Sequence, residues 1–171
     1  TEMTLAFRVP QWCGQAAIAV NGASIHTDSL IEKGYVKIAR EWSPGDVIEL
    51  NFDMPVQRVE AHPNVRQNAG KVALQRGPLV YCFEEVDNGK NLQDLRLTAD
   101  AKLHAKFVPE LLGGTQVITV TGLRRDPSDW DDGDLYKLSP SKFIETELKA
   151  VPFYARLNRT PGEMTVWVNR G

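Results

Sequence analysis

Hydrolysis of a sugar linkage calls for two carboxyl groups on opposite sides of the scissile bond, so paired acids are the first chemistry to look for in this sequence. Glu84 and Glu85 are adjacent, and neighbouring residues of a strand point to opposite faces, so this pair cannot converge on one substrate. Most other acids sit in turn-forming stretches, where solvation accounts for them. His26, His62 and His104 are scattered, no serine lies in a GxSxG elbow and no HExxH occurs. No glycine-rich loop leads into a helix as a phosphate cradle requires. The acidic run from Asp129 to Asp134 invites a calcium reading. Laid on the calcium-loop template with Gly133 at the glycine position, it places Ser128 first, Trp130 third and Ser139 last, all wrong residue types, so a solvated loop is expected. Cys13 and Cys82 form neither a CxxC pair nor a Cys/His cluster and are expected to be buried, reduced thiols.

Aromatic side chains suggest a different chemistry, because exposed aromatic faces on a β-sandwich stack on sugar rings. Trp42 and Trp167 flank or occupy apolar strands and are expected to serve packing. Trp130, set among aspartates, is the aromatic best placed to be exposed, and with Tyr136 it forms the candidate sugar contact. The sequon Asn158-Arg159-Thr160 is followed by proline and is discounted.

These residues must be held by strands. Leu5, Phe7 and Val9 alternate with polar neighbours, Ala16 to Val20 runs into the turn signal Asn21-Gly22, and Tyr35 to Ile38 is separated from Val47 to Phe52 by Ser43-Pro44-Gly45-Asp46. Val56 to Ala61 follows, then a longer run from Lys71 to Phe83 in which Gly77-Pro78 predicts a bulge or strand break. Short strands with regular turn signals predict an antiparallel sandwich. Asp87-Asn88-Gly89-Lys90-Asn91 is the expected boundary, giving a first β-sandwich over residues 1–87 and a second over 88–171. In the second, Leu92 to Leu97, Ala105 to Leu112, Gln116 to Leu123, Phe143 to Val151, Tyr154 to Asn158 and Met164 to Val168 carry the apolar pattern, residues 124–142 form a long polar loop, and Asp100 to Phe107 is a weak helical candidate. The fold class is therefore all-β, as two jelly-roll-like antiparallel sandwiches.

The chain has 171 residues, with Lys plus Arg 20 against Asp plus Glu 22 and a net charge of −2. Such a balance argues against a nucleic-acid or anionic-membrane partner, which needs a basic face. No run approaches the roughly 18 apolar residues of a membrane span. The first thirty residues lack a basic segment followed by an apolar run, so a cytoplasmic location is expected for a chain whose true start lies upstream of Thr1.

Several segments together resemble one family. They are Phe7 to Cys13 (FRVPQWC), Val20-Asn21-Gly22, Gly34-Tyr35, Arg40-Glu41-Trp42, Gly45-Asp46, Ala61 to Val65 (AHPNV), Asn68 to Cys82 (NAGKVALQRGPLVYC), Pro152 to Ala155, Asn158-Arg159 and Pro161 to Met164. Their order and spacing resemble the C-terminal part of bacterial glycoside hydrolase family 127, the β-L-arabinofuranosidase family. The resemblance implies a hydrolase with an N-terminal (α/α)6 barrel followed by two β-sandwiches, of which this chain would supply most of the sandwiches, the first lacking its earliest strands. It further implies a zinc, held in the barrel by a glutamate and three cysteines, that keeps one cysteine as the nucleophilic thiolate while another glutamate acts as acid/base. Cys13 and Cys82 are not part of that set, so no catalytic residue and no cofactor carries over to this chain. Its partner would be the barrel of the same polypeptide, with His62, Arg76 and Tyr81 as candidate interface contacts. Bared apolar surface and an unpaired edge would make the chain self-associate in isolation.

Overall fold

A computed structural model describes residues 2–26, 31–131 and 133–171. The chain divides into two compact units, Thr1–Pro55 and Val56–Gly171.

Unit 1 contains six strands: β1 (Glu2–Arg8), β2 (Ala16–Val20), β3 (Ala23–Ile25), β4 (Ile31–Glu32), β5 (Tyr35–Glu41) and β6 (Ile48–Phe52). They form two three-stranded antiparallel sheets, ordered β1-β5-β4 and β3-β2-β6. The alternation seen in the sequence is what buries them. Ile18 and Val20 of one sheet join Val36 and Ile38 of the other in a single core, with Phe7, Val9, Ile25, Trp42 and Ile48 partly buried around it. Asn21 and Gly22 both adopt positive φ, at 52° and 77°, which is why an Asn-Gly pair can close the tight hairpin between β2 and β3.

Unit 2 contains β7 (Val56–Val59), β8 (Lys71–Arg76), β9 (Leu79–Glu84), β10 (Leu95–Leu97), β11 (Leu103–Val108), β12 (Thr115–Arg125), β13 (Phe143–Pro152), β14 (Met164–Thr165) and β15 (Val168–Arg170), with one short helix, α1 (Glu85–Asn88). Following the ladder hydrogen bonds through β9, β13, β12, β10, β15 and β8 leads back to β9, so the pairing closes on itself, and β14, β7 and β11 flank this ring. Pairing is antiparallel except between β10 and β15, which run parallel. The inside of the ring is the main core: Val72, Leu74, Tyr81, Phe83, Leu95, Leu97, Ile118, Val120, Leu148, Ala150 and Val168 alternate inward from all six strands. Residues of opposite parity on three of those strands, Cys82, Val117 and Val151, build a second cluster with Val108, Leu111, Phe153, Met164 and Val166. Gly122 is required in β12, because a Cβ there would lie 2.8 Å from the Arg96 carbonyl oxygen and 2.4 Å from Leu148 Cδ1.

Both units are all-β, as the sequence predicts, and Gly77-Pro78 does break the run between β8 and β9. The expected boundary at residues 87/88 is corrected to Pro55/Val56. Its polar stretch Asp87 to Asn91 is not a linker: β9, just before it, pairs with β13, far beyond it, at Phe83 opposite Ala150 and Tyr81 opposite Pro152. The helical candidate Asp100 to Phe107 is instead strand β11, paired along its length with β12. Residues 153–155 form a 3-10 turn where a strand over Tyr154 to Asn158 was expected, because Pro152 ends the ladder.

Candidate functional site

The most concentrated polar constellation of unit 2 lies where α1 leaves β9. Glu84 ends that strand only 3% exposed, and three residues later Asp87 sits in α1, so one turn of chain brings both carboxylates to the same side. Arg159 enters between them from the connection that precedes β14. Its guanidinium donates to Glu84 Oε2 and to Asp87, at 3.0 Å from Nη1 to Oδ1 and 2.5 Å from Nη2 to Oδ2. Lys149 of β13 adds a hydrogen bond of 3.0 Å from Nζ to Asp87 Oδ1, and the Leu157 backbone N–H donates to Glu84 Oε1 at 2.7 Å. Burial works against ionisation of Asp87, but the bonds and charges of Arg159 and Lys149 more than offset it and hold its carboxyl below the usual range.

Neighbouring amides extend the cluster. Asn88 donates from Nδ2 to the carbonyls of Glu84 and Lys149, both at 2.9 Å, and accepts from the Lys149 backbone N–H at 2.9 Å, so its side chain continues the sheet edge. Arg124 donates to the carbonyls of Asn88 and Lys90. Glu163 accepts from the backbone N–H groups of Asn91 and Leu92, at 3.1 and 2.8 Å, while Glu85 accepts from the Glu163 backbone N–H at 2.9 Å. The stretch that composition marks as a linker is thus tied down by side chains from β12, β13 and the segment before β14. Glu84 and Glu85 do have separate partners, as their adjacency implies. Asp87, expected to be a solvated turn acid, is ion-paired instead.

The sequence-based candidates are dispersed. His62 is exposed in the turn after β7, where its Nδ1 accepts from the Asn64 backbone N–H at 3.2 Å. Arg76 ends β8 half-buried. Tyr81 cannot serve as an interface contact, because it is 0% exposed among the apolar side chains of the ring, and its hydroxyl is buried without a hydrogen-bond partner among the described residues. Burial pushes that hydroxyl above its ordinary pKa. Trp130 is half-buried, with the Lys137 ammonium 5.0 Å from its ring centroid, so this face is already occupied by a cation. Tyr136 is 89% exposed in the same long loop, beside Leu135 and the fully exposed Leu138. Asp132 of the acidic run lies outside the described residues.

Neither cysteine joins a metal-binding group: among the described residues no three His, Cys, Asp or Glu side chains come together for one. Cys82 is buried, and burial together with the Glu84 charge pushes its thiol up to about 11, far from thiolate at neutral pH. Cys13 is only half-buried, and its Sγ donates to the Gln15 carbonyl at 3.0 Å. The chain holds two cysteines in all and cannot by itself furnish a set of three.

The two units coincide with two recognised domains. Residues 1–54 match the middle domain of family 127, described as β-L-arabinofuranosidase, and residues 56–169 match the glycoside hydrolase family 127 C-terminal domain. The chain belongs to glycoside hydrolase family 127. It is 36% identical over 180 residues to a non-reducing end β-L-arabinofuranosidase of Bifidobacterium longum subsp. longum, an alignment covering 99% of this chain and 26% of that protein. Among solved structures, a family 127 β-L-arabinofuranosidase from Geobacillus stearothermophilus T6 superposes with a TM-score of 0.95 at 51% identity, over 100% of this chain and 27% of that one. A second family 127 β-arabinofuranosidase gives a TM-score of 0.83 at 31% identity, over 100% of this chain and 28% of the other. The chain thus spans about a quarter of the length of the family 127 members it matches. Its match is to their middle and C-terminal domains.

The Arg159 cluster escaped the sequence reading even though Asn158-Arg159 and Pro161 to Met164 were among the segments carrying the resemblance. An arginine in a turn-rich segment gives no local sign that two carboxylates more than seventy residues upstream wait for it.

Proposed function

We propose that this chain is the non-catalytic β region of a β-L-arabinofuranosidase-like glycoside hydrolase, and that it supports an (α/α)6 catalytic barrel on the same polypeptide. The observation that carries this reading is the loop between β12 and β13, which holds Leu135, Tyr136 and Leu138 almost wholly in solvent. Three large apolar side chains on one exposed loop make a contact surface, and water is a poor permanent neighbour for them. The carboxylates argue in the same direction. Glycoside cleavage needs one carboxyl that can give up a proton beside one that stays ionised. Both oxygens of Glu84 are instead occupied by donors, and Asp87 is clamped by two cations. Arg76 and His62 remain available as polar contacts to the barrel.

The test is a double substitution, Tyr136→Ser with Leu138→Ser, in the full-length enzyme. It should lower the thermal midpoint or the activity of the whole protein. In isolation the chain self-associates through the same loop, so light scattering should find a larger species that the double variant returns to monomer. An unaltered full-length enzyme and a monomeric parent chain would contradict the support role.

A further inference from the structure

A groove of about 400 Å³ opens on unit 2. Trp167 borders it from the two-residue crossing between β14, which pairs with β9, and β15, which pairs with β8 and β10. Buried Leu92 forms part of the base, and Lys71, Gln93, Glu163 and Asn169 contribute polar atoms around it. Trp167 was expected to pack in a core or between domains. It is only half-buried, because the chain at that point steps from one part of the ring to another and leaves the indole at the surface.

The polar groups are fixed by the fold. Asn169 donates from Nδ2 to the Gln93 carbonyl at 2.7 Å, which orients its amide and leaves Oδ1 as an acceptor. Glu163 is held by the Asn91 and Leu92 backbone N–H groups, with the Arg124 and Lys90 charges nearby, so its carboxylate is fixed in place as an acceptor. The Lys71 ammonium and the Trp167 indole N–H have no partner among the described residues. The groove therefore offers one aromatic face beside a cation, an anion and two amides. A lone ammonium opposed by a carboxylate gives no net field to hold an anion or a cation. The mixture suits a neutral polyol, whose hydroxyls both donate and accept and whose C–H face lies against an aromatic ring.

We infer that this groove binds one sugar unit of a neutral oligosaccharide, with Trp167 as the stacking platform and Lys71, Gln93, Glu163 and Asn169 as hydroxyl partners. The site is distinct from the Trp130 and Tyr136 loop. It does not depend on the support role, which concerns that loop.

The experiment is calorimetric titration of the full 171-residue chain with an arabinofuranosyl disaccharide and, in parallel, cellobiose. At least one should bind with millimolar or tighter affinity. Trp167→Ala should then weaken binding about tenfold, and Gln93→Ala, at an exposed position that folding does not need, about threefold. Trp130→Ala should leave it unchanged. Heat of binding for neither sugar, or binding that survives both Trp167→Ala and Gln93→Ala, would overturn the assignment, as would binding lost only with Trp130→Ala. These outcomes say nothing about docking of the β12–β13 loop, so failure here and failure of the support role can be told apart.

Discussion

Unit 1 and unit 2 are both built of short strands with inward alternation, yet they solve the edge problem in opposite ways. Unit 1 has two open three-stranded sheets around four buried side chains, Ile18, Val20, Val36 and Ile38. Unit 2 closes its pairing into a ring filled from six strands, and it fastens the segment after β9 with a nearly buried ion cluster. Lys37 and Glu32 of unit 1 pair at 2.7 Å with side chains 53% and 63% exposed, where water screens them, whereas Glu84, Asp87 and Arg159 are 3%, 10% and 16% exposed. The difference teaches that unit 2 carries its own stability, and that unit 1, with so small a core, is the part most in need of neighbours.

The largest expected effect comes from cutting the cluster. Arg159→Leu leaves the buried Glu84 carboxylate without its cation and should cost about 3 kcal/mol in denaturant titration of unit 2. The same cluster sets a pH signature. Asp87 titrates below its unfolded value, so its contribution is complete above about pH 4 and is lost as pH falls through the lower folded value. Wild-type stability should therefore fall more steeply below about pH 4 than that of Arg159→Leu, in which only Lys149 is left to lower Asp87. Equal slopes would mean that the cluster contributes little.

Next in size is Gly122→Ala. The added methyl meets the Arg96 carbonyl, a backbone atom of the neighbouring strand that cannot swing aside, and should destabilise unit 2 by about 2 kcal/mol. Smaller and of opposite sign, Tyr81→Phe removes a buried hydroxyl that has no partner and should be neutral or stabilising by up to about 1 kcal/mol. A marked loss would reveal a bond to that hydroxyl within the ring. Smallest of all, Lys37→Ala in unit 1 should shift stability by less than about 0.5 kcal/mol, since its ion pair is exposed.

The two units were also unequally legible in the sequence. In unit 1 the information is local: alternation gave β1, β2, β5 and β6 though not the short β3 and β4, and Asn21-Gly22 marked the hairpin because only residues tolerant of positive φ fit there. In unit 2 most of the longer strands were legible one by one, but the start of β11, the split between β14 and β15, and the ring were not. Closing it depends on β15 slipping between β8 and β10, a pairing of residues far apart in sequence, with a parallel contact that no turn signal announces. The domain boundary failed for a related reason. Asp87 to Asn91 has the composition of a linker, and it becomes structure only through Arg124, Lys149, Arg159 and Glu163, which approach from distant points of the chain. The candidate residues fared by depth. His62, Arg76 and Tyr136 lie at or near the surface, where local polarity is informative, while Tyr81 was drawn inward by the parity of β9 and Trp167 was left outside by a strand crossing.

The central claim is that these two β units support a glycosidase without performing its chemistry. The most direct measurement is release of 4-nitrophenol from 4-nitrophenyl β-L-arabinofuranoside by the purified 171-residue chain, followed beside the full-length enzyme at equal molar concentration. A rate equal to buffer for the chain and steady turnover for the whole enzyme is the expected result. Turnover by the chain alone, lost on denaturation, would contradict the claim outright.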